Sequence, residues 1–365
     1  MKVLITGAAG FIGYHLSKKL IGEGYQVVGL DNLNNYYSIN LKYARLNLLG
    51  IGKNGFHSLE VMNHSTKYHN FSFIKRDLSD SSQMKLFFER HRFDVVINLA
   101  AQVGVRYSLT NPRAYTSSNV NGFLNILEGC KSQSVKHLIY ASSSSVYGLN
   151  SAMPFEESDR TDAPASLYAA TKKSNELMAH TYAHLYGVPS TGLRFFTVYG
   201  PLGRPDMAYF LFAKNICSGK PINIFNHGNM ARDFTYIDDI VESIFRLIPK
   251  PPAANRQNRL LTDFIPKTAS SAPHSIFNIG NGKPVNLLDF INILEDKIGI
   301  KTELNMIPMQ PGDVEKTWAN TSKLHSYIQF KPVVNIHEGI SRFVDWYRDY
   351  YGILQKQKIV NAQKG

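Results

Sequence analysis

The chain has 365 residues, enough for two domains, and 44% of them are hydrophobic, as in a globular protein. Lys and Arg outnumber Asp and Glu by 40 to 28, which gives a formal net charge of +12. We expect no membrane partner, because no apolar run approaches the ~18 residues of a membrane span. We expect no nucleic-acid partner either, because no dense basic run is interleaved with aromatic residues. The surplus charge fits a solvated basic surface or a site for an anionic small molecule.

The first residues and the cysteines indicate the cellular compartment. The predicted strand Lys2–Thr6 leaves no room for a signal peptide. The two cysteines, Cys130 and Cys217, have neither metal-ligand nor disulfide-framework spacing. We therefore expect a cytoplasmic protein with no metal site.

A glycine-rich turn follows the first predicted strand. Gly7, Gly10 and Gly13 are spaced three apart and lead into a helical pattern. Strand, glycine turn and helix form the context of a dinucleotide-binding loop, in which the backbone approaches a pyrophosphate at the helix N-terminus. The next predicted strand, 26–30, ends in Asp31, whose carboxylate can accept hydrogen bonds from the adenosine ribose. Because a carboxylate there repels a 2′-phosphate, the pattern predicts NAD rather than NADP.

Strands and helices alternate through the first half of the chain. Further strand-like runs occur at 71–74, 94–99, 137–141 and 191–195, and helical patterns at 82–90, 112–132 and 167–185. This alternation predicts an α/β fold with a doubly wound parallel sheet of the Rossmann type, over residues 1–190.

The second half is less regular. Residues 191–350 are predicted to form mainly a smaller, irregular α/β substrate-binding domain over the carboxyl ends of the strands, with some segments returning to the first domain. Residues 351–365 form a basic tail. Two stretches are predicted to lie at the surface, 47–70 as an insertion and 250–273 as an exposed loop.

A run of four serines, 142–145, precedes a helix that carries Tyr168 and Lys172. Residues four apart on a helix share a face, so the phenol and the ammonium project together. A serine hydroxyl, a phenol and an ammonium in one pocket predict a proton-transfer site.

These motifs together resemble the extended short-chain dehydrogenase/reductase superfamily. Within it, the segments 102–108, 122–129, 203–208 and 225–239 are similar to those of UDP-glucuronate 4-epimerases. The resemblance implies that Tyr168, as a phenolate, removes the proton of the sugar 4-hydroxyl while Ser143 hydrogen-bonds the reacting oxygen. It implies that bound NAD+ takes the C4 hydride and returns it to the opposite face of a 4-keto sugar. Lys172 and the nicotinamide charge are expected to bring the pKa of Tyr168 from about 10 to near neutral.

The resemblance and the predicted fold together indicate the contact residues. Those expected at NAD are Gly7, Gly10, Phe11, Ile12, Gly13, Asp31, Asn32, Asn35, Asp77, Leu78, Leu99, Ala100, Ala101, Asn119, Ser142, Tyr168, Lys172 and Phe195. Those expected at the UDP-sugar are Arg106, Ser143, Ser144, Ser145, Thr197, Arg204, Phe225, Arg232 and Asp313. By the resemblance, Arg232 clamps the diphosphate and Asp313 holds the uridine ribose.

Ser144 and Ser145 separate this reaction from related ones. Similar dehydratases carry an Asp-Glu pair at these positions, and similar decarboxylases carry a Glu at the second. The missing acid favours simple inversion at C4 of UDP-glucuronate, giving UDP-galacturonate. We hypothesise that the hydroxyls also hold the substrate carboxylate near the ring plane, which protects the β-keto acid intermediate from losing CO2.

Other functions use much of the same machinery. The enzyme alternatives are a 4-epimerase of UDP-glucose or UDP-N-acetylhexosamines, a UDP-glucuronate decarboxylase and a dehydrogenase with net turnover of NAD. A nucleotide-sensing protein without activity is a further alternative, although it should have lost Tyr168 or Lys172. The apolar helices 112–132 and 167–185 are expected to form a homodimer interface, as the resemblance suggests.

Overall fold

A computed structural model describes residues 1–52, 61–254, 271–309 and 315–352 of the chain. Its largest element is an eight-stranded sheet. The strands are β1 (Lys2–Thr6), β2 (Gln26–Asp31), β3 (Asn63–His64), β4 (Phe71–Lys75), β5 (Val95–Asn98), β6 (His137–Ser143), β7 (Ser190–Phe195) and β11 (His274–Ile279). Their order in the sheet is β3-β4-β2-β1-β5-β6-β7-β11. All neighbours pair in parallel except β3, which is antiparallel to β4. The predicted Rossmann-type sheet is confirmed.

Helices cover both faces of this sheet. They are α1 (Phe11–Gly22), α2 (Ile39–Leu48), α3 (Ser81–Arg90), α4 (Tyr107–Thr110), α5 (Pro112–Tyr115), α6 (Gly122–Gln133) and α7 (Leu167–Tyr186), with a π-helical stretch, Thr116–Asn121, joining α5 to α6. Successive strand residues point to opposite faces. Val3 and Ile5 therefore enter the core beneath α1, whereas Leu4 enters the core shared with α3 and α6.

The later part of the chain forms two small sheets and returns to the large one. One sheet contains β8 (Thr197–Tyr199), β10 (Ala231–Tyr236), β12 (Pro284–Asn286) and β14 (Lys316–Thr317), and the other pairs β9 (Ile222–Phe225) with β13 (Leu304–Ile307). The helices are α8 (Ala208–Cys217), α9 (Ile237–Leu247), α10 (Leu287–Ile298), α11 (Ser322–Ile328) and α12 (Ile336–Tyr351). Strand β11 pairs with β7, and α9 packs against α1.

The stretch 47–70 differs from the expected surface insertion where it is described. Leu49 and Ile51 are buried, because the chain leaving α2 packs into the core beneath the sheet. Asn63–His64 then adds an edge strand to β4. Most of the expected loop 250–273 and nearly all of the tail 351–365 lie outside the described residues, at 255–270 and 353–365.

None of the helices that the structure describes, the 20-residue α7 included, combines the length and the apolar character needed to cross a bilayer.

Candidate active site

A single cavity of about 1130 Å³ runs from the glycine turn, past the carboxyl ends of β5, β6 and β7, to β10. It brings together nearly all the expected contact residues. Those on its wall are Gly7, Gly10, Phe11, Ile12, Gly13, Asp31, Asn32, Asp77, Leu78, Leu99, Ala100, Ala101, Arg106, Ser142, Ser143, Ser144, Ser145, Tyr168, Lys172, Phe195, Thr197, Arg204, Phe225 and Arg232. Asn35 and Asn119 are not on the wall, and Asp313 lies outside the described residues.

The glycine turn has no room for side chains. Gly7 has φ +71°, and a Cβ on it would lie 2.9 Å from the backbone nitrogen of Ala100. A Cβ on Gly13 would lie 2.1 Å from the carbonyl oxygen of Gly7. Helix α1 begins at Phe11, and Gly10 before it has no side chain to cap the first N–H groups. The turn therefore exposes uncapped backbone donors to the cavity, as pyrophosphate binding requires.

Asp31 ends β2 and is buried at the same end of the cavity. Its carboxylate accepts hydrogen bonds from the backbone nitrogens of Ala9 at 3.2 Å and Leu33 at 2.8 Å. The Lys42 ammonium lies 3.7 Å from this carboxylate and donates to Asn34 at 2.9 Å. Lys42 was not predicted from the sequence, because no helix was predicted at Ile39–Leu48, where the structure buries both Lys42 and Arg45.

The three asparagines expected at the cofactor have different surroundings. The amide of Asn32 donates to Asp77 at 2.7 Å, which fixes this edge of the cavity. Asn35 is exposed, and Asn34 takes its expected place on the wall. Asn119 is buried behind the wall, where its amide bonds both the N–H and the carbonyl of Gln102. Asn119 thus supports the backbone that lines the cavity.

The serine run and the Tyr-Lys pair meet at the end of β6. The Ser166 hydroxyl caps α7 by accepting from the Ala169 nitrogen at 3.2 Å, and Tyr168 and Lys172 follow within the first two turns. The Lys172 ammonium donates to the Ala141 carbonyl of β6 at 2.7 Å. A side-chain hydrogen bond joins Ser143 to the Tyr168 phenol.

Burial shifts the pKa values of both Tyr168 and Lys172. Burial raises the pKa of the Tyr168 phenol, while the Ser143 hydrogen bond and the Arg204 charge act to lower it. Burial also lowers the pKa of Lys172 from 10.5 to about 7. The expectation that Lys172 and the nicotinamide charge together bring the pKa of Tyr168 near neutral stays a prediction.

A buried ion pair stands behind the serines. The Glu176 carboxylate accepts from Arg194 at 2.8 and 2.9 Å and from the Ser142 hydroxyl at 2.7 Å. Both charged side chains are only 2% exposed. Neither was predicted from the sequence. The nearest signal was the position of Glu176 one helical turn beyond Lys172.

The far end of the cavity carries arginines and hydroxyls. Ser144, Ser145 and Thr197 line one part of it. The Arg106 guanidinium lies over the Phe225 ring, 4.6 Å from the centroid. These groups offer neutral hydroxyl donors and positive charge for an anionic ligand.

Arg204 and Arg232 approach the cavity from the later part of the chain. Arg204 forms a bidentate ion pair with Asp206 at 2.5 and 3.1 Å. Arg232 donates to the carbonyl oxygens of Ala231 and Glu315, both at 2.9 Å. Asp206 was not predicted, although its position two residues after an expected substrate arginine was a usable signal.

Comparison with known proteins identifies the family. The model of the NAD dependent epimerase/dehydratase family matches residues 3–261. A probable UDP-glucuronate 4-epimerase of Rhizobium meliloti is 48% identical over 96% of this chain and 98% of its own length. The structure of a UDP-glucuronic acid 4-epimerase of Bacillus cereus, in complex with UDP-glucuronic acid and NAD, is 32% identical, has a TM-score of 0.79 and covers 96% of this chain and 100% of its own. A UDP-glucose 4-epimerase of Thermotoga maritima with UDP-glucose has a TM-score of 0.78 at 28% identity, over 96% of this chain and 100% of its own. The chain belongs to the NAD dependent epimerase/dehydratase family.

Proposed function

We propose that this protein interconverts UDP-glucuronate and UDP-galacturonate by inverting the sugar carbon C4. One observation carries the proposal: Tyr168, Ser143 and Lys172 share a cavity in which positions 144 and 145 are hydroxyls. The proton-transfer groups are thus present without the additional acid that elimination or decarboxylation uses. The similarity to the Rhizobium and Bacillus epimerases supports the same assignment.

The glycine turn and Asp31 suit NAD. The turn brings uncapped backbone N–H groups to the cavity, and a carboxylate that accepts two backbone hydrogen bonds still has lone pairs for ribose hydroxyls. Bound NAD+ supplies the hydride acceptor and donor at C4. Residues proposed to hold it are those of the expected cofactor set that line the cavity, with Lys42 and Asn34 added at the ribose end.

Tyr168 is the proposed general base. Its phenolate accepts the proton of the 4-hydroxyl and gives it back to the 4-keto intermediate after the sugar has presented its other face. Ser143 hydrogen-bonds the same oxygen, and its bond to Tyr168 stabilises the phenolate. Lys172 donates a hydrogen bond to the Ala141 carbonyl, and this bond is proposed to orient the groups of α7 that transfer the proton.

The remaining expected residues fit a nucleotide sugar with an acidic ring substituent. Ser144, Ser145 and Thr197 are proposed to donate hydrogen bonds to the uronate carboxylate. Guanidinium groups suit the diphosphate, which we assign to Arg232 with support from Arg204. The Arg106–Phe225 pair is proposed to form the uridine end. The proposed ribose contact of Asp313 lies outside the described residues.

The assembly and the division of the chain are also proposals. Helices α6 and α7 lie side by side and expose Leu124 and Leu177, 40% and 58% accessible, to solvent. Pairing of these helices across a two-fold axis would form a four-helix homodimer interface. We assign NAD binding to residues 1–190 and UDP-sugar binding mainly to residues 191–350.

A second candidate is a 4-epimerase of neutral UDP-hexoses. The similarity to the Thermotoga UDP-glucose 4-epimerase favours it, because the two TM-scores, 0.79 and 0.78, are nearly equal. Both reactions use Tyr168 and Lys172, so only the pocket for the C6 substituent separates them.

Proton NMR of purified enzyme, incubated separately with UDP-glucuronate and UDP-glucose without added NAD, tests the proposal. We expect UDP-galacturonate from the first and little or no UDP-galactose from the second. Conversion of the neutral sugar alone refutes the uronate assignment. Release of UDP-pentose and CO2 identifies a decarboxylase instead.

A further inference from the structure

Arg45 is the largest fully buried charged side chain among the described residues. Its guanidinium hydrogen-bonds to the loop 202–206, to the glycine turn and to Tyr37. Arg45 lies on the inner face of α2 and donates to the carbonyl of Leu202 at 3.1 and 2.7 Å and to that of Gly203 at 3.1 Å. It also donates to the carbonyl of Ala9 at 2.9 Å, inside the glycine turn, and to the Tyr37 hydroxyl at 2.7 Å. One guanidinium thus ties the cofactor turn to the 202–206 loop.

The loop has a strained backbone at this contact. Leu202 has φ +56°, a conformation that residues with a side chain rarely adopt, and its side chain is buried. Two hydrogen bonds from Arg45 to its carbonyl compensate for that cost. His15 of α1 adds a third tie, 3.0 Å from the carbonyl of Pro201.

Tyr36 belongs to the same segment as Arg45, residues 36–45, and contacts the far end of the 202–206 loop. The Tyr36 hydroxyl donates to Asp206 at 3.2 Å, on the carboxylate that holds Arg204. Gly104 permits this contact, because a Cβ there would lie 2.5 Å from the Tyr36 hydroxyl. The two residues bonded through their side chains are 170 positions apart in the chain.

Arg204 in turn acts on the reacting group. Its guanidinium lines the cavity with Tyr168, and its charge lowers the pKa of the Tyr168 phenol. The alignment of Arg204 depends on Asp206, since a bidentate pair fixes the plane of the guanidinium. Segment 36–45 therefore contacts both ends of the loop that carries this arginine.

We propose that Arg45 and Tyr36 are positioning residues, which hold the 202–206 loop so that Asp206 keeps the Arg204 guanidinium on the cavity wall that it shares with Tyr168. The proposal rests on the proposed epimerase function. By this proposal, segment 36–45 affects catalysis at the sugar site because it holds the 202–206 loop. Some of its side chains also line the cofactor end of the cavity.

A double-mutant cycle on Tyr36→Phe and Asp206→Asn tests the proposal, with kcat/KM, bound NAD and Tm measured for each variant. Loss of a hydrogen bond to a charged group should lower kcat/KM of Tyr36→Phe about tenfold or more, with NAD retained. Because Tyr36 acts through Asp206, adding Tyr36→Phe to Asp206→Asn should change kcat/KM by no more than about twofold. Effects that multiply, or a Tyr36→Phe variant that equals the parent, overturn the proposal.

The profile of kcat against pH supplies a second test of the proposal. If Arg204 turns away from Tyr168, the pKa of the phenol rises, so the acid limb of the kcat profile should move to higher pH in Tyr36→Phe. The same shift is expected for Arg45→Lys, which keeps the charge but cannot reach three carbonyls at once. An unmoved limb in Tyr36→Phe contradicts the proposal even if Arg45→Lys fails to fold.

Tyr327→Phe is the matched control. Its hydroxyl donates to the Lys250 carbonyl at 3.1 Å on an exposed surface, and its loss should leave kcat/KM and the pH profile unchanged. All measurements use the UDP-sugar that the parent enzyme converts. A parent inactive on UDP-glucuronate but active on another UDP-sugar refutes the proposed substrate, and the cycle still decides the role of Tyr36.

Discussion

The Lys172 ammonium donates to the backbone carbonyl of Ala141 at 2.7 Å, one residue before the serine run begins. This bond crosses from α7 to the end of β6 and is 31 positions long in the chain. It holds the helix that carries Tyr168 against the strand that carries Ser143. The proton-transfer groups are therefore aligned by a contact between two residues of the cavity wall.

The burial of Lys172 should be visible in protein stability. Its pKa is lowered to about 7 from 10.5, so between these values the unfolded chain binds a proton that the folded chain has released. Stability therefore rises with pH in this window. Relative to Lys172→Met, which does not titrate, the parent should gain about 2 kcal/mol between pH 7 and 9. Urea unfolding without added cofactor measures this, and a gap that does not change with pH would contradict it.

Tyr168 should set the pH dependence of turnover. Tyr168→Phe should lower kcat by at least ~100-fold, as loss of a general base does, while NAD stays bound. Ser143→Ala removes the hydrogen bond that lowers the phenol pKa, so its acid limb should move to higher pH. The profile of kcat against pH and the NAD content of the denatured protein measure these effects. A Tyr168→Phe variant with near-normal kcat removes Tyr168 from the mechanism.

Ser144 and Ser145 should protect the substrate carboxylate. We expect the double variant Ser144→Ala plus Ser145→Ala to release more CO2 per turnover than the parent, because the carboxylate of the β-keto acid can then rotate out of the ring plane. Ser218→Ala, at the exposed end of α8, is the control. Equal CO2 release from parent and double variant would falsify the idea.

The Glu176–Arg194 pair should contribute strongly to the free energy of unfolding. Removing one partner of a buried ion pair leaves an uncompensated charge and costs about 3–5 kcal/mol, which we expect for Glu176→Ala. Glu23→Ala breaks an exposed pair with Lys19 at 2.9 Å and should cost at most about 1 kcal/mol. The free energy of unfolding in urea compares the two. Similar losses would mean that Glu176 contributes little more than a surface carboxylate.

The stabilisation by the Glu176–Arg194 pair should be lost at low pH. Hydrogen bonds from Arg194 and Ser142 and the charge of Arg194 hold the pKa of Glu176 below 4.5 although burial raises it. Its stabilisation is thus present above pH 4.5 and is lost as the pH falls through the lower, folded value.

Local patterns in the sequence predicted the elements and much of the cavity wall. The glycine turn, Asp31 and the Tyr168–Lys172 spacing each lie within one strand, turn or helix, so periodicity and residue type reveal them. Side-chain contacts between segments that are far apart in the sequence leave no such local pattern. Arg45 meets Leu202 across 157 positions, and Tyr36 meets Asp206 across 170. Their geometry depends on how α2 packs, and no helix was predicted from the sequence at Ile39–Leu48.

Isotope labelling at C4 tests the central claim most directly. If bound cofactor accepts and returns the hydride within one site, UDP-glucuronate carrying deuterium at C4 should yield UDP-galacturonate that keeps the deuterium at C4, with no NADH released. NMR of the product reads the label and absorbance reads the NADH. A product with hydrogen at C4, stoichiometric NADH or no galacturonate at all would contradict the account.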